Sequence, residues 1–283
     1  MSQFDRIASL IIGEEGSSEA IQVQDLRIGF SVTKTNDKTT NKGQVTVYNL
    51  NLDTQNKLDR IEGFVTLQAG YVQGDGLQNV FTGDITVVST RYEPPDVITT
   101  IQCNDGFRKL RDSRGAFSYA AGTKVQDVLS DLLSRFNIAR KSNSIDVPDF
   151  EYVNGVSFGG PVKTLLDKLM GTVGYVWSFQ DGELKFYPKN EEDQTEAFRL
   201  TSETGLIKAP EKVSDVSGQS KDAGAKPGWN VMSVLLPSIE PGNPVRISSI
   251  ALPTPTNFVV ERVEHRGDTW GAEYVTSLLV KEL

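Results

Sequence analysis

Gly122-Thr-Lys-Val-Gln-Asp-Val-Leu-Ser-Asp-Leu-Leu-Ser-Arg-Phe136 is where the periodicity of the chain changes. Val125, Val128, Leu129, Leu132, Leu133 and Phe136 recur at i, i+3, i+4, i+7, i+8 and i+11, which places them on one helical face. Gly122-Thr123 opens this helix, and Thr123 with Gln126 fits a capping box. Val162, Leu165, Leu166, Leu169, Met170 and Val173 repeat the offsets in a second helix, with Pro161 at its first turn and Gly174 at its end. Phe150–Phe158 between them reads as a strand. Tyr175, Trp177 and Phe179, the Asp181-Gly182 turn, then Leu184 and Phe186 read as a hairpin. Residues 106–190 are therefore an α+β module.

On both sides of this module the period is two. Strands are expected at Phe4–Ile12, Ile21–Thr33, Gly43–Leu50, Phe64–Val72, Val80–Ser89 and Val97–Asn104. The turns Gly74-Asp75-Gly76 and Pro94-Pro95-Asp96 separate the later ones. One short helix, Leu52–Glu62, has Asn51 or Asp53 as N-cap, Leu58 and Ile61 as anchors and Gly63 as its stop. Residues 1–105 thus suggest a small β-barrel or sandwich. Pro188–Gln194 reads as a linker and Lys212–Gly228 as a polar loop. β structure returns at Trp229–Leu236, Val245–Ile250, Phe258–His265 and Glu273–Lys281, the last two forming a hairpin around Arg266-Gly267-Asp268-Thr269. Phe258 and Val260 face one way there, and Val259 and Val263 the other. Residues 191–283 make a second β domain, so the fold class is mainly β with a two-helix α+β module.

Composition narrows the chemistry. The 283 residues are 38% apolar with 25 glycines, a globular balance. Net charge is −8, which disfavours wrapping nucleic acid or binding an anionic membrane. No signal peptide is apparent at Met1-Ser-Gln-Phe-Asp-Arg6, and no apolar run reaches a membrane span, so the chain is expected to fold in a cytoplasm without a membrane anchor. One cysteine, Cys103, and one histidine, His265, rule out an internal disulfide and a Cys/His zinc site.

The remaining candidates for chemistry each have a structural reading. His265 lacks a G-x-S-x-G elbow, and a triad with Ser248 and Asp268 has nothing else behind it. Cys103 follows an apolar strand and reads as core. The acidic pairs Glu14-Glu15 and Glu191-Glu192 lie in polar loops, whereas a glycosidase acid needs a buried pocket. Gly13-Glu-Glu-Gly16 and Gly155–Gly160 match no phosphate-binding pattern, and Gly159-Gly160-Pro161 reads as the start of a helix. Of the aromatics Tyr175, Trp177, Phe179, Phe186 and Tyr187, a possible sugar platform, the first four alternate as one core face. No catalytic, cofactor-binding or metal-binding residue is assigned, and the chain is expected not to be an enzyme.

The order of motifs resembles a known family. Thr204-Gly-Leu-Ile-Lys-Ala-Pro-Glu211, Val231-Met-Ser-Val-Leu-Leu-Pro-Ser-Ile-Glu-Pro-Gly242, Val245-Arg-Ile-Ser-Ser249, Phe258-Val-Val-Glu-Arg-Val263 and His265-Arg-Gly-Asp-Thr269 resemble the baseplate hub proteins of bacteriophage tails, late-control-D-like or Mu-type. Val80-Phe-Thr-Gly-Asp-Ile85, Asn104-Asp-Gly-Phe107 with Arg111, and Trp177-Ser-Phe-Gln-Asp-Gly182 agree with the same family. As fold markers, Gly205 and Gly242 supply turns, Pro210 and Pro241 limit strands, and Gly267-Asp268 closes the terminal hairpin. The resemblance implies a homotrimeric ring with two β-barrels per subunit. Such a ring adapts a hexameric tail tube to a trimeric central spike, around a channel through which DNA passes. Its implied partners are the tube protein or a distal tube adaptor, the spike and other baseplate proteins, in a virion tail assembled in the host cytoplasm. The alternatives are the equivalent hub of a contractile injection or type VI secretion particle, and a tail-associated cell-wall hydrolase or carbohydrate-binding protein.

Overall fold

The computed structural model describes residues 5–14, 20–36, 40–58, 63–106, 108, 112–141, 146–188, 197–213 and 228–283. Phe4, Glu15, Gly16, Ile61, Glu62, Phe107, Arg111, Glu191 and Glu192 lie outside them, as do 189–194 of the expected linker and 214–227 of the expected loop.

The N-terminal part holds β1 (Arg6–Glu14), β2 (Ala20–Val23), β3 (Ile28–Thr35), β4 (Lys42–Tyr48), α1 (Leu52–Leu58), β5 (Gly63–Tyr71), β6 (Gly76–Glu93) and β7 (Asp96–Asn104). The middle part holds β8 (Arg114–Tyr119), β9 (Thr123–Lys124), α2 (Val125–Arg135), β10 (Ala139–Arg140), β11 (Glu151–Tyr152), β12 (Val156–Pro161), α3 (Val162–Thr172), β13 (Tyr175–Gln180) and β14 (Glu183–Pro188). The C-terminal part holds β15 (Phe198–Leu200), β16 (Glu211–Val213), β17 (Gly228–Val234), β18 (Pro244–Ile247), β19 (Thr256–Asp268) and β20 (Tyr274–Glu282). The fold is mainly β with an α+β module, as the periodicities predict.

The first and last parts share one 13-stranded sheet, ordered β16-β17-β20-β19-β3-β4-β7-β6-β5-β1-β2, with β18 beside β19 and β15 beside β18. Among the described residues this path is open, ending on β2 and β16. The antiparallel pairing of β19 with β3, from Arg262↔Thr35 to Asp268↔Gly29, joins the two parts. Strand alternation builds the cores: Val45 and Val47 of β4 point inward as their spacing predicts. Three apolar clusters result. The first lies within β1–β7 and also takes Leu235 and Tyr274; the second joins α2, α3, β13 and β14; the third lies within β15–β20. No strand of the middle part pairs with the large sheet among the described residues.

Several expected elements differ, each for a local reason. Ile21–Thr33 is two strands, parted at Asp25, whose φ is 61°. Helix α1 is described to Leu58, and Asn51 is its N-cap, its Oδ1 accepting the Thr54 N–H at 2.8 Å. The capping box does not form. Thr123 and Lys124 are paired in β9 with β11, Thr123 Oγ1 donates to the Ala120 carbonyl, and Gln126 Nε2 donates to the Val147 carbonyl. Sheet pairing has displaced the cap, and the Val125 N–H goes to the Phe150 carbonyl at 2.8 Å. Phe150–Phe158 breaks at Gly155, where φ is 70° and a Cβ would stand 2.6 Å from the Tyr119 carbonyl. The strand expected over Val245–Ile250 stops at Ile247, leaving Ile250 exposed.

The terminal hairpin is shifted. Gly267 lies inside β19, where a Cβ would meet the Phe30 ring at 2.3 Å, and the turn begins at Thr269. A β-bulge between Val260 and Arg262 inserts one residue. Parity is reset there, so Val263 joins Phe258 and Val260 in one cluster instead of facing away.

Candidate functional site: a buried polar joint

The middle part meets the large sheet through polar groups. At its centre is Asp105, the residue after β7, fully buried. Its Oδ2 accepts the Asp181 N–H and its Oδ1 the Gly182 N–H, both at 2.7 Å. Asp181 and Gly182, with φ of 60° and 87°, form the two-residue turn between β13 and β14. Two motifs far apart in sequence, Asn104-Asp-Gly106 and Gln180-Asp-Gly182, thus interlock. Gly106 permits the approach: its φ is 60°, and a Cβ would lie 2.5 Å from the Phe179 ring.

Charged side chains surround this turn. Lys34 Nζ donates to both Asp181 carboxylate oxygens at 2.9 Å, and Lys141 Nζ stands 3.5 Å from one of them. Lys141 also pairs with Glu240, whose second oxygen lies 3.8 Å from Lys185 Nζ. Asn41 Nδ2 donates to the Phe179 carbonyl at 2.7 Å and to Gln180 Oε1 at 3.0 Å. Gln180 Nε2 in turn donates to the Thr35 carbonyl at 3.0 Å. All three parts contribute: Lys34, Asn41 and Asp105 from the first, Lys141, Asp181 and Lys185 from the middle, Glu240 from the last.

The electrostatics follow from burial and proximity. Burial, then the Asp181 carboxylate, pushes the Asp105 carboxyl up to about 7. Burial also acts to raise Asp181, but Lys34 and Lys141 outweigh it and hold that carboxyl below its ordinary value. His265 borders the joint from β19. It is fully buried, its Nδ1 is 2.9 Å from Thr276 Oγ1, and burial with the Lys34 charge brings it down to about 3.

The other expected residues are dispersed. Asp268 ends β19 and Ser248 lies in a half-buried loop; neither has a hydrogen bond to His265. Cys103 is core, its thiol pushed up to about 12 by burial. Trp177, Phe179 and Phe186 are buried in the second cluster with Tyr175 packed against it. Tyr187 instead donates to the Asn36 carbonyl at 2.9 Å. A cleft of about 610 Å³ lies between β3, β14 and β19, bordered by Thr33, Lys185, Tyr187, Glu261 and Arg262. No group of three or more potential metal-ligating side chains occurs among the described residues. The arrangement orients and locks; both Asp105 oxygens are engaged by backbone amides.

The sequence did not reveal Lys34, Asn41, Lys141, Gln180, Lys185 or Glu240 as partners. One signal was available: Lys34 falls on the inward parity of Ile28, Phe30 and Val32.

Residues 9–212 match the family described as Baseplate hub gp41. No curated protein matches the chain. Among solved structures, the 43 kDa tail protein of prophage MuSo2 from Shewanella oneidensis is similar at 12% identity and TM-score 0.64, covering 97% of this chain and 96% of that one. A tail protein from Neisseria meningitidis gives 11% and 0.64, with the same coverage. An E. coli component of the type VI secretion system, described as similar to T4 bacteriophage tail proteins gp27 and gp5, gives 12% and 0.63 over 96% of this chain and 76% of that one. At these identities the likeness is one of fold. With 9–212 covered by one family description, the chain belongs to the Baseplate hub gp41 family.

Proposed function

We propose that this baseplate hub protein assembles as a homotrimeric ring that joins a hexameric tail tube to a trimeric spike around a DNA channel. The observation that carries the reading is the family match over residues 9–212. The architecture is compatible with it: each subunit holds two β parts fused through β19 and β3, so three subunits would present six. In the ring each unit would be a small barrel, and the parts 1–105, 106–190 and 191–283 would act as modules. The role needs rigid interfaces and no catalysis, which fits a joint made to lock. The hub would sit in the tail baseplate after assembly in the host cytoplasm.

Light scattering on the chain alone and co-expressed with the spike, with electron microscopy, tests this; a monomer in both samples and no ring overturns it. Each copy carries −8, and part of this charge is assigned to the channel wall so that DNA slides. A basic lumen in the ring refutes that. A second reading, the hub of a type VI or related injection particle, is favoured by the E. coli likeness and is separated from the first by the neighbouring genes. Lack of clearing on a peptidoglycan zymogram is expected; clearing overturns the non-enzymatic reading.

A further inference from the structure

In the N-terminal part the sheet forms two layers around the first cluster. Leu10, Val65 and Leu67 of β1 and β5 share that cluster with Val45, Val47 and Ile101 of β4 and β7. β6 belongs to both layers. Its first half pairs with β5 as far as Asp84↔Phe64, and β5 itself begins at Gly63. Its second half pairs with β7 alone, from Val87↔Gln102 to Glu93↔Asp96, after a register shift between Ile85 and Val87. Val87 is 49% exposed there and Tyr92 68%. Thr86–Glu93 is thus a free edge, with no second strand beside it among the described residues. It is rich in β-branched residues and has no lysine or proline to blunt it, so it is a template for another strand.

The opposite edge of the same layer shows what such an edge takes. The layer β3-β4-β7-β6 has β3 on its far side, and β3 is filled by β19 of the C-terminal part. The C-terminal run β16-β17-β20-β19 gives up β19 in that contact and keeps β16, where Glu211 and Lys212 are exposed. Each part therefore has one edge joined and one left over, and the two left over do not meet within the chain. A second copy that offers β16 to β6 repeats between copies the pairing that β19 and β3 make within one. Direction agrees. Every step from β16 to β6 is antiparallel, which leaves these two strands running opposite ways, so copies in one orientation continue the alternation. Charge agrees as well. Cross-strand partners followed along the sheet place Arg91 and Glu211 on the same face, so an antiparallel contact can set one opposite the other. Within the chain Arg91 is held only by Glu93 at 3.1 Å, an exposed pair that is easily exchanged.

We propose that the free edge Thr86–Glu93 of one copy pairs antiparallel with β16 of a second copy, Arg91 facing Glu211. The contact uses different surfaces on its two sides, so its repetition closes a ring or runs on as a filament and does not stop at a two-fold dimer. It rests on the hub reading and names the strands by which copies join.

The test uses the full chain, alone and co-expressed with the spike protein. Arg91→Cys and Glu211→Cys are made singly and together; the chain's one cysteine, Cys103, is buried and stays silent. A short bis-maleimide is expected to link the double variant into a closed oligomer, and the two single variants co-expressed into pairs only, while neither single variant links to itself. Self-linking by either single variant means that like edges meet, and overturns the proposal. An oligomer without a link between positions 91 and 211 overturns it too and leaves the hub reading standing. A monomer in both samples overturns the hub reading, and this inference with it. Charge exchange reads the same contact without a linker. Arg91→Glu and Glu211→Arg should each weaken assembly by about fivefold at unchanged thermal stability, and the two together should restore it. No recovery in the double variant overturns the proposed pairing.

Discussion

The molecule joins its parts in two different ways. The N-terminal and C-terminal parts are joined by a strand ladder, β3 against β19, paired without interruption from Arg262↔Thr35 to Asp268↔Gly29. The middle part is joined chiefly by one turn set into a carboxylate, ringed by lysines and acids and flanked by the Asn41–Gln180 and Tyr187–Asn36 hydrogen bonds. A ladder distributes its energy over many similar bonds, so no single side chain decides it. A charged joint concentrates it, because each buried ion depends on its partner. The first joint should therefore tolerate side-chain loss and resist intrusion, and the second should do the reverse.

The sharpest way to break this contrast is Lys34→Met. Asp181 would keep only the more distant Lys141 as a cation, with the Thr82 N–H at 3.3 Å, and a loss of up to about 3–5 kcal/mol is expected for removing the close partner of a largely buried ion. Urea unfolding followed in the middle part by Trp177 fluorescence, with Trp229 and Trp270 replaced by Phe, should show an early transition, with the sheet unfolding later. One common transition would mean that the two joints are not separate.

Next come two glycines, one in each joint. Gly267→Ala forces a methyl against Phe30 at 2.3 Å in the ladder, and Gly106→Ala forces one against Phe179 at 2.5 Å with φ at 60°. Each should cost about 1–3 kcal/mol by overpacking. Gly106→Ala should cost more, because it adds left-handed strain of about 1 kcal/mol or more. Equal shifts in urea midpoint would remove that distinction.

The smallest net effect is in pH, because two groups with large and opposite offsets nearly cancel in the wild type. Asp105 titrates at about 7 in the fold but near ~3.9 when unfolded, so between these values the folded state holds the extra proton. The charged joint thus strengthens as pH falls from 7 to 4. His265 is opposite: at about 3 in the fold against ~6.5 unfolded, it makes the ladder lose stability as pH falls below 6.5. Each full offset amounts to roughly 1.4 kcal/mol per pH unit. His265→Gln should flatten the acid loss and Asp105→Asn the acid gain. A His265→Gln profile parallel to wild type would refute the burial argument for this residue.

How much of this was legible follows from the range of each signal. The faces of α2 and α3 are local patterns, and every apolar position named for them packs in or against the second cluster. The Asp181-Gly182 turn was readable because its chemistry is local too. Its seat was not: Asp105 is 76 residues away and binds backbone amides, which leave no trace in residue type. The capping box failed because β9 pairing outcompeted a local cap. The bulge at Glu261 had no glycine or proline to announce it, so the parity of Val263 was misread. The hub resemblance came from the order of these markers, and the two that interlock, Asn104-Asp-Gly106 and Gln180-Asp-Gly182, were among them.

β19 has a mechanical consequence. It runs unbroken from Thr256 to Asp268, holding β18 with its first residues and β3 with its last. A force that pulls the two β parts apart along the strands loads this backbone, with the Arg27–Asp268 and Arg6–Gly271 contacts beside it. It must shear the whole row of β3–β19 bonds at once instead of opening them one by one. The bulge sits between the two gripped stretches and gives that row slack on one side only. A thrust delivered to the C-terminal part would thus reach the N-terminal part along the β3–β19 row, and the middle part through Glu240 and its lysines.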